Sequence, residues 1–213
     1  MSKIKEIAKA VENGQAKLVA RLVQEALSEG CEPTEILNRG MVDAMGVIGE
    51  KYNNNEIFVP EMLAAARVMK KGVEVLKPYL AAEGAPSAGK MILGTVAGDL
   101  HDIGKSLVGM MIKSVGFEVI DLGIDVPVEK FIRAVKEQPD AVLVGCSALL
   151  TTTLPALRDT VAALNAQPFR SRIKIMVGGA PVTQAFADEI GADGYSENAA
   201  NAAELARKLA GLV

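Results

Sequence analysis

The stretch MILGTVAGDLHDIGKSLVGMMIKSVGFEVIDL, residues 91–122, decides the fold of this chain. It begins with a short apolar run at residues 91–96 and ends with a second run at residues 117–122. Between the two runs, residues 104–115 place apolar side chains at the spacing of an α-helix. Because apolar strands joined by a helix are typical of parallel sheets, this stretch predicts one strand–helix–strand unit of such a sheet.

The same alternation of strand and helix patterns continues downstream. Five apolar strands with helices between them predict a parallel, doubly wound sheet in the flavodoxin-like (Rossmann-like) order. Such sheets bind ligands beyond the carboxyl ends of their strands. The further strands are expected at residues 141–146, 173–177 and 194–196, and the further helices at 127–138, 153–166, 181–190 and 198–211.

Upstream of this stretch the pattern is helical. A short leading helix is followed by a second helix that ends at Gly30, and Pro33 opens a third, which the asparagines 53–55 break. A fourth helix starts at Pro60. Four helices joined by short turns predict a small antiparallel bundle.

These patterns divide the chain into two domains. Residues 81–90, AAEGAPSAGK, are small and carry proline and glycine without any periodicity, as linkers do. We expect Gly84 and Gly89 to act as a hinge within this segment. The predicted organisation is α + α/β: a four-helix cap at residues 1–82, a linker at 83–90, and a sheet domain at 91–213.

Composition excludes several classes of partner. The chain has 213 residues, a formal net charge of −3 and no tryptophan, so it lacks the clustered basic residues that nucleic-acid binding needs. The most apolar run, residues 141–150, is about half of the ~20 residues that span a membrane, so we expect no membrane partner. Residues 1–10, MSKIKEIAKA, lack the apolar core expected of a signal peptide. Cys31 and Cys146 are expected to be free thiols in a cytoplasmic protein.

Three polar or glycine-rich clusters fall at the carboxyl ends of the predicted strands. Each alone has an ordinary explanation: a surface histidine, a helix cap or a turn. Together they face one crevice, where glycines admit a bulky group close to the backbone. The clusters are Asp99-Leu100-His101-Asp102-Ile103-Gly104, Ser147-Ala148-Leu149 with Leu150 and threonines 151–153, and Gly178-Gly179.

His101 is the one residue in these clusters that favours a metal. Asp99 lies two positions before it, so a carboxylate can accept from one imidazole nitrogen and leave the other oriented for a metal. A chain with one histidine and no cysteine pair cannot build a tetrahedral zinc site. A single protein ligand suits a metal whose other positions are filled by a macrocycle.

At this point the sequence resembles a known family. Three motifs carry the resemblance: Asp-x-His-x-x-Gly, then Ser-x-Leu after 42 residues, then Gly-Gly after a further 28 residues. This order and spacing are similar to the cobalamin-binding signature. Methionine synthase, the corrinoid proteins of methanogens and acetogens, and the glutamate and methylmalonyl-CoA mutases share that signature. Residues 56–61, EIFVPE, and the Ala-rich helix after them resemble the cap of methionine synthase and of stand-alone corrinoid proteins, which the mutases lack.

The resemblance implies a role for each candidate residue. His101 would replace the cofactor's own base as the lower axial ligand of cobalt, and Asp99 would hold its far nitrogen. Thr153 matches a hydroxyl residue that extends this pair, although helix capping explains it equally well. Phe58 would cover the upper face of the cofactor, with burial in the bundle core as its alternative. The remaining expected contacts to a cobalamin or related corrinoid are Asp102, Ile103, Gly104, Ser147, Leu149, Thr151, Gly178, Gly179, Tyr195 and Ser196.

The implied function is that of a methyl carrier. The corrinoid would cycle between Co(I) and methyl-Co(III), between a substrate-specific methyltransferase and a second one that methylates tetrahydrofolate or a thiol. A reductive activase is a third expected partner. Because a substrate barrel alone takes roughly 250 residues, this chain needs those partners for turnover. A cobalamin-based sensor without turnover and a cofactor-free flavodoxin-like protein are the alternatives.

Overall fold

The computed structural model describes residues 2–82 and 88–212, and its backbone divides into two units at residue 86. Most of the expected linker, with Gly84, lies outside the described residues. Within the described ranges, no helix combines the length and the apolar character that crossing a bilayer requires. Cys31 and Cys146 are both free thiols, as their surroundings in the sequence predict.

The first unit is built from four helical rods. Each rod turns an apolar face inward; in the second, for example, Val19, Leu22, Val23 and Ala26 are buried at helical spacing. The third rod contains a π-helical turn. In this turn Met41 packs so closely on Gly72 of α5 that a Cβ at position 72 would overlap the Met41 side chain. The rods are α1 (Lys3–Glu12), α2 (Ala16–Ser28), a continuous run of α3 (Pro33–Glu35), a π-helix (Ile36–Val42) and α4 (Asp43–Asn53), and α5 (Val59–Ala82).

The second unit is a five-stranded parallel sheet with helices between its strands. The strand order is β2-β1-β3-β4-β5, so the flavodoxin-like prediction is confirmed. The elements are β1 (Lys90–Thr95), α6 (Ile103–Ser114), β2 (Glu118–Asp121), α7 (Val128–Glu137), β3 (Ala141–Ser147), a 3₁₀ turn (Thr151–Thr153), α8 (Leu154–Asn165), a 3₁₀ turn (Arg170–Arg172), β4 (Lys174–Gly178), α9 (Gln184–Ile190), β5 (Gly194–Tyr195) and α10 (Ala199–Leu209).

The carboxyl edge of this sheet brings the predicted clusters into line. Thr95 at the end of β1 pairs with Ser147 at the end of β3, and Ser147 pairs with Gly178 at the end of β4. The chain leaves β1 toward β2 on one side and returns to β3 on the other. The loops after β1 and β3 therefore diverge at the topological switch point, where sheets of this type bind ligands.

Gly89 does not serve as the expected hinge. Its carbonyl accepts a hydrogen bond from the Glu118 N–H at 3.1 Å, which extends the pairing of β1 and β2. Its φ is +100°, and a Cβ there would lie 2.6 Å from the Cγ2 of Val142. The sheet begins one residue earlier than predicted, at Lys90, and it holds Gly89 in place.

Candidate functional site

The centre of the site is the carboxylate of Asp99, which is fully buried in the loop after β1. Its Oδ1 accepts from the Nδ1 of His101 at 2.8 Å and from the His101 N–H at 3.1 Å. Its Oδ2 accepts from the Leu149 N–H at 2.6 Å and from the Thr153 hydroxyl at 2.8 Å. One carboxylate thus joins the loop after β1 to the loop after β3.

These hydrogen bonds fix the charge of Asp99. Burial raises the pKa of this carboxyl, but the donors from Leu149, His101 and Thr153 outweigh burial and hold the pKa well below its usual range. Asp99 is therefore ionised at neutral pH. Because an ionised carboxylate can only accept, the proton of its bond to the imidazole sits on Nδ1 of His101. In the neutral ring the lone pair is then on Nε2.

His101 is anchored and accessible at the same time. Asp99 accepts hydrogen bonds from the N–H and the Nδ1 of His101. The buried Thr95 hydroxyl donates to the His101 carbonyl at 2.8 Å. Its side chain is nevertheless 50% exposed. The position of the residue is set by the loop, while the ring remains open to a ligand.

Thr153 occupies the N-cap position of α8 but makes no capping bond there. Its hydroxyl lies 2.8 Å from Asp99 Oδ2 and 2.9 Å from the Leu150 carbonyl. A hydroxyl has one proton to donate, and a carboxylate is the stronger acceptor of the two. The geometry therefore favours the contact with Asp99 over helix capping.

The three glycines of the site serve different purposes. Gly179 has φ +129°, and a Cβ there would overlap the carbonyl oxygen of Ala148, so the loop after β4 packs directly on the loop after β3. At Gly178 a Cβ would lie 3.1 Å from the Ser196 carbonyl oxygen. At Gly104 a Cβ would meet nothing within 4 Å. Gly104 thus leaves open space in the first turn of α6.

Large apolar side chains are exposed in the loops at this edge of the sheet. Ile103, beside His101 in sequence, is 78% exposed. Sequence analysis placed Leu100 in the first cluster without giving it a role, and it missed Ile124, whose only signal is an apolar residue within a loop. Exposed apolar groups around a polar centre are typical of a surface that binds an apolar partner or ligand. The exposed side chains are Leu100, Ile103, Ile124, Leu149 and Leu150.

The other candidates lie at the same edge or in the helical unit. Ser147 is half-buried, and its carbonyl accepts from the Val96 N–H at 3.0 Å. Tyr195 and Ser196, at the end of β5, are also half-buried, whereas Asp102 and Thr151 are exposed. In the helical unit, the exposed Phe58 donates its N–H to Glu61 Oε2 at 3.1 Å, at the start of α5. Exposure of its ring rules out the bundle-core alternative for Phe58.

The protein groups suit a metal that arrives with most of its ligands. Across residues 2–82 and 88–212, no group of three or more His, Cys, Asp or Glu could hold a bare ion. Burial raises the pKa of the Cys146 thiol to about 12, so this thiol is protonated and is a poor ligand. One imidazole nitrogen, apolar surroundings and open space at Gly104 fit a large macrocycle with a single free coordination position.

Comparison with known protein families gives the same result. Residues 89–204 match the family model of the B12 binding domain, and residues 3–77 match a second model of the same description. The chain is 45% identical over 204 residues to dimethylamine corrinoid protein 3 of Methanosarcina acetivorans. That alignment covers 96% of this chain and 95% of the relative.

Solved structures with a similar fold extend the comparison. A novel cobalamin-binding protein from Desulfitobacterium hafniense DCB-2 has a TM-score of 0.83 and 32% identity, over 97% of this chain and 98% of that one. A chain of the methanol:cobalamin methyltransferase complex MtaBC from Methanosarcina barkeri has a TM-score of 0.78 and 30% identity. Here the match covers 99% of this chain and 80% of that chain.

Removal of the charge on Asp99 tests the electrostatics of the site without any ligand. An Asp99→Asn amide offers one acceptor oxygen and turns an NH₂ group toward a donor. We expect the free energy of unfolding to fall by roughly 1–3 kcal/mol. Because folding lowers the pKa of Asp99, its charge stabilises the fold fully above the unfolded pKa of about 4 and progressively less as the pH falls below that value. The difference from wild type should therefore be present at about pH 6 and shrink below about pH 4.

Urea denaturation followed by circular dichroism at several pH values measures this difference. Asp159→Asn, on the exposed side of α8, is the matched control and should change little at any pH. An Asp99→Asn protein as stable as wild type at pH 6 would contradict the buried, ionised assignment.

Proposed function

The chain belongs to the family of B12-binding corrinoid proteins, and from this premise we propose that it carries methyl groups within a corrinoid-dependent methyltransferase system. The observation that supports this most is the half-exposed His101, whose Nδ1 is held by the buried, ionised Asp99. When bound, a corrinoid supplies a cobalt ion that can accept a methyl cation and give it up again.

In this proposal His101 would be the protein ligand of the metal, and Asp99 would hold its ring in place. Nε2 of His101 would ligate cobalt, because Nδ1 is already bonded to the carboxylate. The hydrogen bond from Nδ1 to Asp99 fixes the tautomer and the orientation of the ring. Thr153 keeps the second carboxylate oxygen occupied, so that the carboxylate does not rotate away from the ring.

The surrounding residues bind the rest of the cofactor. The exposed apolar side chains, among them Leu149 and Ile103, cover a macrocycle that water would otherwise surround. Phe58 of the helical unit is proposed as a further cofactor contact, a role that rests on the family resemblance. The residues proposed to line the site of the nucleotide tail are Gly104, Ser147, Gly178, Gly179, Tyr195 and Ser196, with Asp102 and Thr151 nearby in sequence.

The proposed partners follow from the chemistry of a carrier. One methyltransferase loads the methyl group from a donor, and a second passes it to tetrahydrofolate or a thiol. A reductive activase returns the cobalt to its reduced state after oxidation. The relatives are named for dimethylamine and methanol, so methylamines and methanol are the first donors to try. We place this exchange in the cytoplasm, where free thiols such as Cys31 persist.

Isotopic labelling tests the ligand assignment without a mutation, because the chain contains one histidine. In the Co(II) holoprotein we expect the electron paramagnetic resonance lines to show coupling to one nitrogen. Incorporation of ¹⁵N-histidine should convert each triplet into a doublet, since ¹⁵N has spin one-half. Lines that remain triplets after labelling would identify the cofactor's own base as the ligand and exclude His101.

The substitution Gly104→Ala has two expected effects that can be measured separately, one on the stability of α6 and one on cofactor binding. The added Cβ meets no protein atom within 4 Å, and alanine favours a helix over glycine, so the apoprotein should gain roughly 0.5–1 kcal/mol. If Gly104 lines the cofactor site, the same methyl group lowers cobalamin affinity, by about tenfold or more.

Gly46→Ala in α4 is the matched control, since a Cβ there also meets nothing within 4 Å. It should add similar stability and leave the affinity unchanged. Thermal melts of the apoproteins and titration with aquocobalamin measure both quantities. Unchanged affinity of the Gly104→Ala protein would remove Gly104 from the cofactor site.

The carrier role itself is tested by turnover. Reduced holoprotein mixed with a methylamine or methanol should keep its reduced absorption spectrum until a cognate methyltransferase is added. Among the described residues, no group of three or more His, Cys, Asp or Glu could hold a metal ion to activate the donor. After addition, one methyl group per protein should be taken up. Multiple turnovers from donor to acceptor by this chain alone would refute the carrier proposal.

A further inference from the structure

Asp125, in the loop between β2 and α7, has an unusual backbone conformation. Its φ is +51°, in the left-handed region that side chains with a Cβ disfavour. Among the described residues, Asn55 is the other non-glycine residue with a positive φ, at +59°. Asn55 follows the end of α4, where a left-handed residue commonly terminates a helix. Asp125 precedes α7 and has no such explanation.

Two hydrogen bonds join Asp125 to the backbone of Gly98 and Asp99. The Oδ1 of Asp125 accepts from the Gly98 N–H at 2.7 Å. Its own N–H donates to the Asp99 carbonyl at 3.0 Å. Gly98 is also left-handed, with φ +79°. One residue of the β2–α7 loop therefore bonds the Gly98 N–H and the Asp99 carbonyl, at the two ends of the Gly98–Asp99 segment, and we call this pair of bonds the clasp.

The clasp complements the contacts of the carboxylate. Leu149 and Thr153 hold the side chain of Asp99 from the loop after β3, on one side of β1. Asp125 holds its backbone from the loop after β2, on the other side. With its backbone and its side chain both held, the carboxylate of Asp99 is fixed in position relative to the His101 ring.

We infer that Asp125 is a positioning residue for His101: its bonds to Gly98 and Asp99 fix the backbone that carries the carboxylate. This inference rests on the proposed function for its consequence at cobalt, whereas the clasp itself is a property of the apoprotein. Nothing in the cluster pattern of the sequence points to Asp125, because the contact depends on two loops that only the sheet order brings together.

Two substitutions separate the clasp from the backbone conformation. Asp125→Asn keeps an acceptor oxygen and tolerates a positive φ. Asp125→Gly adopts the positive φ freely but has no acceptor for the Gly98 N–H. Both variants should fold, and Asn55→Gly is the control at the other left-handed position.

In the Co(II) holoproteins, we expect the ratio of histidine-coordinated to uncoordinated cobalt at fixed pH to fall about fivefold in Asp125→Gly, the effect of one lost hydrogen bond. Asp125→Asn and Asn55→Gly should keep the wild-type ratio. Paramagnetic resonance of ¹⁵N-histidine-labelled protein measures the ratio.

Nuclear magnetic resonance of the apoproteins tests the clasp independently of the cofactor. The Nδ1 proton of His101 should exchange slowly in wild type and Asp125→Asn, and faster in Asp125→Gly. If wild-type cobalt shows no histidine coupling, the ligand proposal fails while this exchange measurement still decides the role of Asp125. A folded Asp125→Gly protein with wild-type proton exchange would overturn the inference.

Discussion

A carboxylate that is taken out of water needs hydrogen-bond donors to remain charged, and Asp99 receives four of them. Two come from its own loop and two from the loop after β3. Because the four donors bond to one buried charge, movement of either loop would break hydrogen bonds to the Asp99 carboxylate. This one carboxylate bonds to His101, to the Leu149 N–H and to Thr153 at the N-cap of α8, so the positions of all three depend on it.

The parallel sheet makes that arrangement possible. Its carboxyl edge aligns Thr95, Ser147 and Gly178, so residues far apart in sequence meet across neighbouring strands. The absence of a side chain at Gly179 lets the next loop lie against Ala148. The site is therefore a product of strand order and close loop packing as much as of its polar residues.

Sequence patterns predicted the parts of this structure that depend on local periodicity or on short spacing. The strands were correct to within one or two residues, because their apolar runs are bounded by polar turns. Asp99 and His101 could be paired since they are two residues apart. Thr153 could not be decided, because the residue that contacts Asp99 also stands at the N-cap position. Asp125, Thr95 and Ile124 were missed because their contacts or exposure arise only when separate loops meet, and Gly89 was misjudged because β1 begins earlier than its apolar run.

Cys146 lies in β3, paired with Gly94 of β1, one residue before the edge that holds the site. Only the thiolate form of cysteine attacks alkyl groups, and with a pKa of about 12 roughly one thiol in 10⁵ is ionised at pH 7. A protein that carried the methyl group proposed above would have to avoid alkylating its own thiols. In that proposal the hydrophobic core would protect Cys146, since the burial that excludes water from the sheet also keeps this thiol protonated.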